Sequence, residues 1–170
     1  MYLISSDLDI TTRYISINIV LSVTEYIISQ NWGVQPFAQN VGSWYWGHGR
    51  LGPYSIVWFD VLDPTGTEYV SAYAAQNGSI VSAQCGGLKV RPTGANSTYP
   101  PVQSSGDPEG FRIELDLGGV GVLEVNVTNV LVAVQGEDYY TRWLGRIEGG
   151  LNGTDSWEGV SLHEEFRLLA

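Results

Sequence analysis

The stretch Phe111-Arg112-Ile113-Glu114-Leu115-Asp116-Leu117 decides the fold class. Its apolar and charged residues alternate strictly, the period of two that gives a β-strand one buried and one wet face. Gly118-Gly119 supplies a turn, and residues 122–130 resume the pattern, with Leu123, Val125 and Val127 set against Glu124, Asn126 and Thr128. The two segments read as an antiparallel hairpin of fixed register, because a slip of one residue would turn every apolar side chain outward.

Working outward from this hairpin, the same periodicity predicts strands over residues 68–74, 79–83, 139–147 and 160–168. Turns fall at Asp63-Pro64-Thr65-Gly66 and Asn77-Gly78 between them. No long helical stripe interrupts them, and the fold class is all-β and antiparallel. Residues 54–59 are apolar on both faces: Tyr54, Ile56 and Trp58 on one, Val57 and Phe59 on the other. This pattern predicts that something covers the outside of the sheet there. Residues 91–110, rich in Pro, Gly, Ser and Asn, form one long ordered loop of the kind that often carries function.

The chain of 170 residues, 44% of them hydrophobic, suffices for one core without disulfide or metal staples. A net charge of -10 repels phosphate backbones and anionic lipid, which argues against nucleic acid and membrane as partners. The single Cys85 excludes an internal disulfide framework and points to a reducing, cytoplasmic setting. Residues 15–28 are apolar but carry Ser16, Asn18, Ser22, Thr24 and Glu25, too short and polar a segment to span a membrane. Sequons at Asn77, Asn96, Asn126 and Asn152 are expected to be turn residues.

Catalytic signatures are scarce. No Gly-x-Ser-x-Gly elbow and no phosphate-cradling loop is present, and only His48 and His163 offer imidazole bases. The histidines lack metal-ligand spacing, so neither a metal nor another cofactor is expected. Trp44-Tyr45-Trp46-Gly47-His48-Gly49-Arg50 stands out instead. On a strand Trp44, Trp46, His48 and Arg50 share one face, which makes either a pocket wall with two donors or part of a packed core.

Asn31-Trp32-Gly33, the run from Trp44 to Ser55, and Arg91-Pro92-Thr93-Gly94-Ala95-Asn96-Ser97-Thr98-Tyr99-Pro100-Pro101 together resemble the carboxyl-terminal half of the fungal Diels–Alderases. So do Tyr140-Thr141-Arg142-Trp143 and the run from Gly159 to Phe166. These lipocalin-like pericyclases cyclise linear polyenes, often to decalins, in polyketide and peptide hybrid pathways. The resemblance implies a lipocalin-like β-barrel over residues 31–170. Residues 1–30 then read as a divergent strand or an artefact of a truncated gene model.

The resemblance further implies an isomerase of fungal secondary metabolism that promotes intramolecular Diels–Alder cycloaddition of an apolar polyene. Trp44, Trp46, Tyr54 and Trp143 would shape its pocket, with His48 and Arg50 as hydrogen-bond donors. Confinement of the reacting ends suits such chemistry, since good orientation is worth up to about 7–11 kcal/mol of barrier. One alternative is a non-catalytic domain that binds an apolar ligand and pairs with an amino-terminal half or with itself. Another is a sugar-binding β-sandwich, which requires solvent-facing Trp44, Trp46 and Trp143.

Overall fold

The computed structural model describes residues 15–21, 26–32, 36–137, 139–154 and 156–170, with side chains from residue 36 onward. The chain divides into two compact units, Met1–Asn40 and Val41–Ala170. In the first, β1 (Ile15–Leu21) and β2 (Tyr26–Trp32) pair antiparallel, and one helical turn covers Phe37–Asn40. The rest of the segment 1–30 lies outside the described residues.

The second unit is one antiparallel sheet. Its strands are β3 (Ser43–Leu51), β4 (Tyr54–Leu62), β5 (Glu68–Gln76), β6 (Ser79–Gln84), β7 (Leu88–Thr93), β8 (Gly110–Asp116), β9 (Val122–Gln135), β10 (Tyr140–Leu151) and β11 (Trp157–Arg167). They run β6-β5-β4-β3-β11-β10-β9-β8-β7 across the sheet. The sheet curls into the expected lipocalin-like barrel until β7, at one end, lies against β4 and β5. There the chain is joined by side chains: Arg91 on β7 reaches Glu68 at 2.9 Å and Asp60 at 3.4 Å.

The hairpin of β8 and β9 has the register its alternation demands, Ile113 opposite Val125 and Leu115 opposite Leu123, all four buried. β7 extends to Thr93, so the long loop begins later than the composition suggests. Pro92 is tolerated because β7 ends the sheet, where a missing N–H interrupts no ladder on its open side. Asn77 and Asn152 are turn residues with φ of 49° and 51°. Asn126, by contrast, lies inside β9: flanked by Val125 and Val127, it occupies the wet face of an amphipathic strand.

Both faces of the sheet are buried at β3 and β4, as the two-sided residues 54–59 predict. Tyr45, Leu51, Tyr54, Ile56 and Trp58 point inward, while Trp44, Trp46, Val57 and Val61 are buried on the other face. Gly47 makes the inward side of β3 possible. A Cβ there would sit on the Trp58 ring and 2.5 Å from the His163 Cβ, so glycine is what admits both rings. Among the described residues no helix is long and apolar enough to cross a membrane.

Candidate functional site

The six residues expected to line one pocket separate onto the two faces of the sheet. Trp44, Trp46, His48 and Arg50 do share the outer face of β3, opposite Val61, Phe59, Val57 and Ser55 respectively. Tyr54 pairs with Leu51 and Trp143 with His163, which places both on the inner face. The expectation of one pocket holding all six is therefore corrected. Alternation fixes parity within a strand, whereas parity between strands depends on register that the sequence does not display.

On the outer face Trp44 meets Phe59 edge-on, with centroids 4.6 Å apart, and Phe166 at 6.0 Å. Trp46 stands edge-on to His48 at 5.7 Å, and its buried indole N–H has no hydrogen-bond partner among the described residues. His48 is half-buried. Burial lowers its pKa, with Arg50 and Arg142 adding repulsion, so the ring is neutral at pH 7. Arg50 is exposed. Beside this group, Glu164 accepts from Arg142 Nε and from Tyr140 Oη, each at 2.8 Å.

The inner face holds polar groups that sequence reasoning left unassigned. His163 lies opposite both Gly47 and Trp143, stacked on Trp143 at 5.6 Å and edge-on to Phe111 at 5.5 Å. Asn129 Nδ2 donates to the Pro108 carbonyl at 2.9 Å, which turns Oδ1 toward His163 Nε2 at 2.7 Å. Nε2 must then carry the proton, leaving Nδ1 to accept from Ser161 Oγ at 3.1 Å. Burial pushes the His163 pKa down to about 4, so this core imidazole stays neutral.

Next to it runs a row across four strands: Asp60, Tyr45, Glu165 and Thr141, each opposite the next. Burial raises the Glu165 pKa to about 7 against the pull of Arg167, whose Nη1 lies 2.7 Å away. Burial likewise raises Asp60, with Glu68 adding to the shift and Arg91 opposing it. The loop of residues 94–109 closes this end. Tyr99 stacks on Tyr45 and donates to Glu68 at 2.6 Å, and Asp107 meets Arg167 at 2.7 Å. Spacing offered one usable sign of this row, since His163 and Glu165 must share a face on any strand.

Chemically, the inner face holds His163 with both ring nitrogens bonded but leaves Tyr45 Oη, Asp60 Oδ1 and Arg167 Nε buried without a hydrogen-bond partner among the described residues, whereas the outer group offers two indoles, a neutral imidazole and a guanidinium on one strand. Among the described residues no three His, Cys, Asp or Glu side chains converge as a metal site. Trp44, Trp46 and Trp143 are all buried, which removes the solvent-facing platforms required by the sugar-binding reading.

The chain is 39% identical over 141 residues to the quinolone epoxide rearrangement protein penF of Penicillium thymicola. It is 36% identical over 140 residues to the quinolone epoxide rearrangement protein asqO of Emericella nidulans. These matches take in 82% and 81% of this chain but only 39% and 38% of those proteins. Among solved structures, CghA with bound Sch210972 superposes with a TM-score of 0.66 at 14% identity, covering 92% of this chain and 52% of CghA. Kievitone hydratase from Nectria haematococca gives 0.53 at 17% identity, over 91% of this chain and 50% of its own. No family model matches the chain. The likeness to part of a longer, lipocalin-like fungal protein, read first from the motifs, is thereby shown.

Proposed function

We propose that this chain is the barrel part of an isomerase of fungal secondary metabolism that rearranges an apolar, ring-bearing epoxide of the quinolone class. Its similarity to two quinolone epoxide rearrangement proteins supports the substrate class. The observation that carries the reading is the outer face of β3, where the unpartnered Trp46 indole N–H, neutral His48 and Arg50 point the same way.

In such a reaction the epoxide C–O bond breaks, a neighbouring group shifts to the electron-poor carbon, and the oxygen becomes a carbonyl. No atom enters or leaves. Oxygen gathers negative charge as the bond breaks, and N–H donors held in place by a strand stabilise it. Indole faces favour the positive charge growing on carbon. Trp46, His48 and Arg50 fit the first task, Trp44 and Trp46 the second.

Decalin-forming Diels–Alder cycloaddition of a linear polyene is the second reading. It draws on the same aromatic face of Trp44 and Trp46, which would hold diene and dienophile folded together.

Purified chain is to be incubated separately with a quinolone epoxide and with a linear polyene tetramic acid, with full-length penF as the reference for the epoxide. Faster formation of an isomer of unchanged mass from the epoxide supports the first reading, and from the polyene the second. Product profiles matching the buffer control in both would remove the enzymatic claim.

A further inference from the structure

Two turns of the sheet carry the same dipeptide: Asn77-Gly78 joins β5 to β6, and Asn152-Gly153 follows the end of β10. Their backbones match. Both asparagines are left-handed, with φ of 49° and 51°, and the glycines after them follow at 83° and 66°, the conformation for which this dipeptide is favoured in hairpins. Each asparagine N–H is bonded to a carbonyl, Asn77 to Pro53 at 3.0 Å and Asn152 to Val122 at 2.7 Å. Both asparagines are exposed, and no atom lies within 4 Å of the would-be Cβ of either glycine.

The two side chains differ. Asn152 Oδ1 accepts from Val122 N at 2.9 Å, which ties its carboxamide to the start of β9. The Asn77 carboxamide makes no hydrogen bond among the described residues. Asparagine before glycine is chemically labile, because glycine has no side chain to shield its own backbone nitrogen. That nitrogen, on losing its proton, attacks the asparagine Cγ: a ring C–N bond forms, the bond from Cγ to the amide nitrogen breaks, and ammonia leaves with a proton from solvent. Water then adds to either carbonyl of the cyclic imide, which reopens as aspartate or as isoaspartate, whose main chain runs through Cβ. The attack requires a carboxamide free to swing over the glycine.

We propose that Asn77 is a site of spontaneous deamidation in the folded chain, and that the Val122 N–H holds Asn152 back from the same reaction. The isoaspartyl form lengthens the β5–β6 turn by one backbone carbon. It does so beside the Gln76–Ser79 pair that closes the hairpin and the 3.2 Å bond from Gln76 Nε2 to the Tyr54 hydroxyl. β6 ends the sheet, so the disturbance falls on a strand with a neighbour on one side only.

The test is incubation of the native chain in mildly alkaline buffer, then tryptic digestion and mass spectrometry. Cleavage after Arg50 and Lys89 releases residues 51–89, and cleavage after Arg146 and Arg167 releases residues 147–167, each with a single asparagine. The first peptide should gain the mass of an acid in place of an amide roughly 5-fold faster than the second, the factor that one net hydrogen bond contributes. In concentrated urea the two rates should converge. Val122→Pro, which removes the tethering N–H and leaves Asn152 in place, should bring them together in the folded chain. Equal rates in the native chain, a difference that survives urea, or one that survives Val122→Pro in a variant folded by circular dichroism would each overturn the inference. Should that variant not fold, the native and urea rates decide.

Discussion

Asn129 and His163, 34 residues apart, are joined by a hydrogen bond of 2.7 Å between Oδ1 and Nε2 that fixes the protonation of a ring sealed inside the barrel. The ring's neutrality has a measurable consequence. In the unfolded chain this histidine takes a proton near pH 6.5, whereas the folded chain refuses it until about 4. The stability it contributes is thus full above 6.5 and lost as pH falls toward 4, about 3 kcal/mol in all. Urea midpoints at pH 7 and pH 5 should differ in the native chain, and less so in His163→Gln. Equal losses in both would show that another group governs that window.

Glu165 and Asp60 act in the opposite sense. Both bind protons more tightly when folded, so their contribution is present below the ordinary carboxylate range and is lost as pH rises, for Glu165 through about 7. Thermal midpoints should decline between pH 6 and pH 9, and Glu165→Gln or Asp60→Asn should flatten the decline, since an amide carries no such titration. A decline left untouched by both amides would locate the effect elsewhere.

Gly47→Ala should destabilise by about 1–3 kcal/mol or prevent folding, because the added methyl meets the Trp58 ring and the His163 Cβ and neither can retreat. Gly86→Ala is the control: no atom lies within 4 Å of its would-be Cβ and its φ is unexceptional, so the change should stay within about 0.5 kcal/mol. Denaturant unfolding of the two variants side by side distinguishes a crowded inner face from a roomy one.

If the outer face of β3 holds the substrate, His48→Ala should lower turnover by roughly 10²-fold, the effect of removing one donor from a developing oxyanion. Because His48 is half-buried and neutral, the native rate should stay level from pH 7 to 9. Single-turnover rates for the native chain and for His48→Ala give the answer. An undiminished rate in the variant would move the chemistry off this strand.

Strands that alternate cleanly were legible, and the Phe111–Leu117 segment alone discloses half of a hairpin, whereas β7 and the far end of β9 were missed because Pro92 and the unbroken apolar run 130–134 carry no period of two. Membership of the outer group was also legible, since Trp44, Trp46, His48 and Arg50 need only a strand to share a face. The inner row was hidden for a physical reason. Asp60, Tyr45, Glu165 and Thr141 come from four strands, and only the register between strands sets them side by side. Gly47 and Gly49 concealed it further. Large neighbours such as Trp46 and His48 draw the eye, while the glycines between them mark the side where bulky groups from adjoining strands are admitted.

The barrel's circumference is stitched by hydrogen-bonded ladders everywhere except where β7 comes round to β4 and β5, and there side chains alone hold it: Arg91 and Tyr99 on Glu68, with Leu88 and Val90 packed into one core with Ile56, Ala72 and Ala74. A wall built this way has a seam. It can gape without sacrificing a single ladder, but only by exposing the apolar side chains of Leu88 and Val90 that pack there. Among the described residues it is the one stretch of wall whose parting breaks side-chain contacts and no main-chain hydrogen bond.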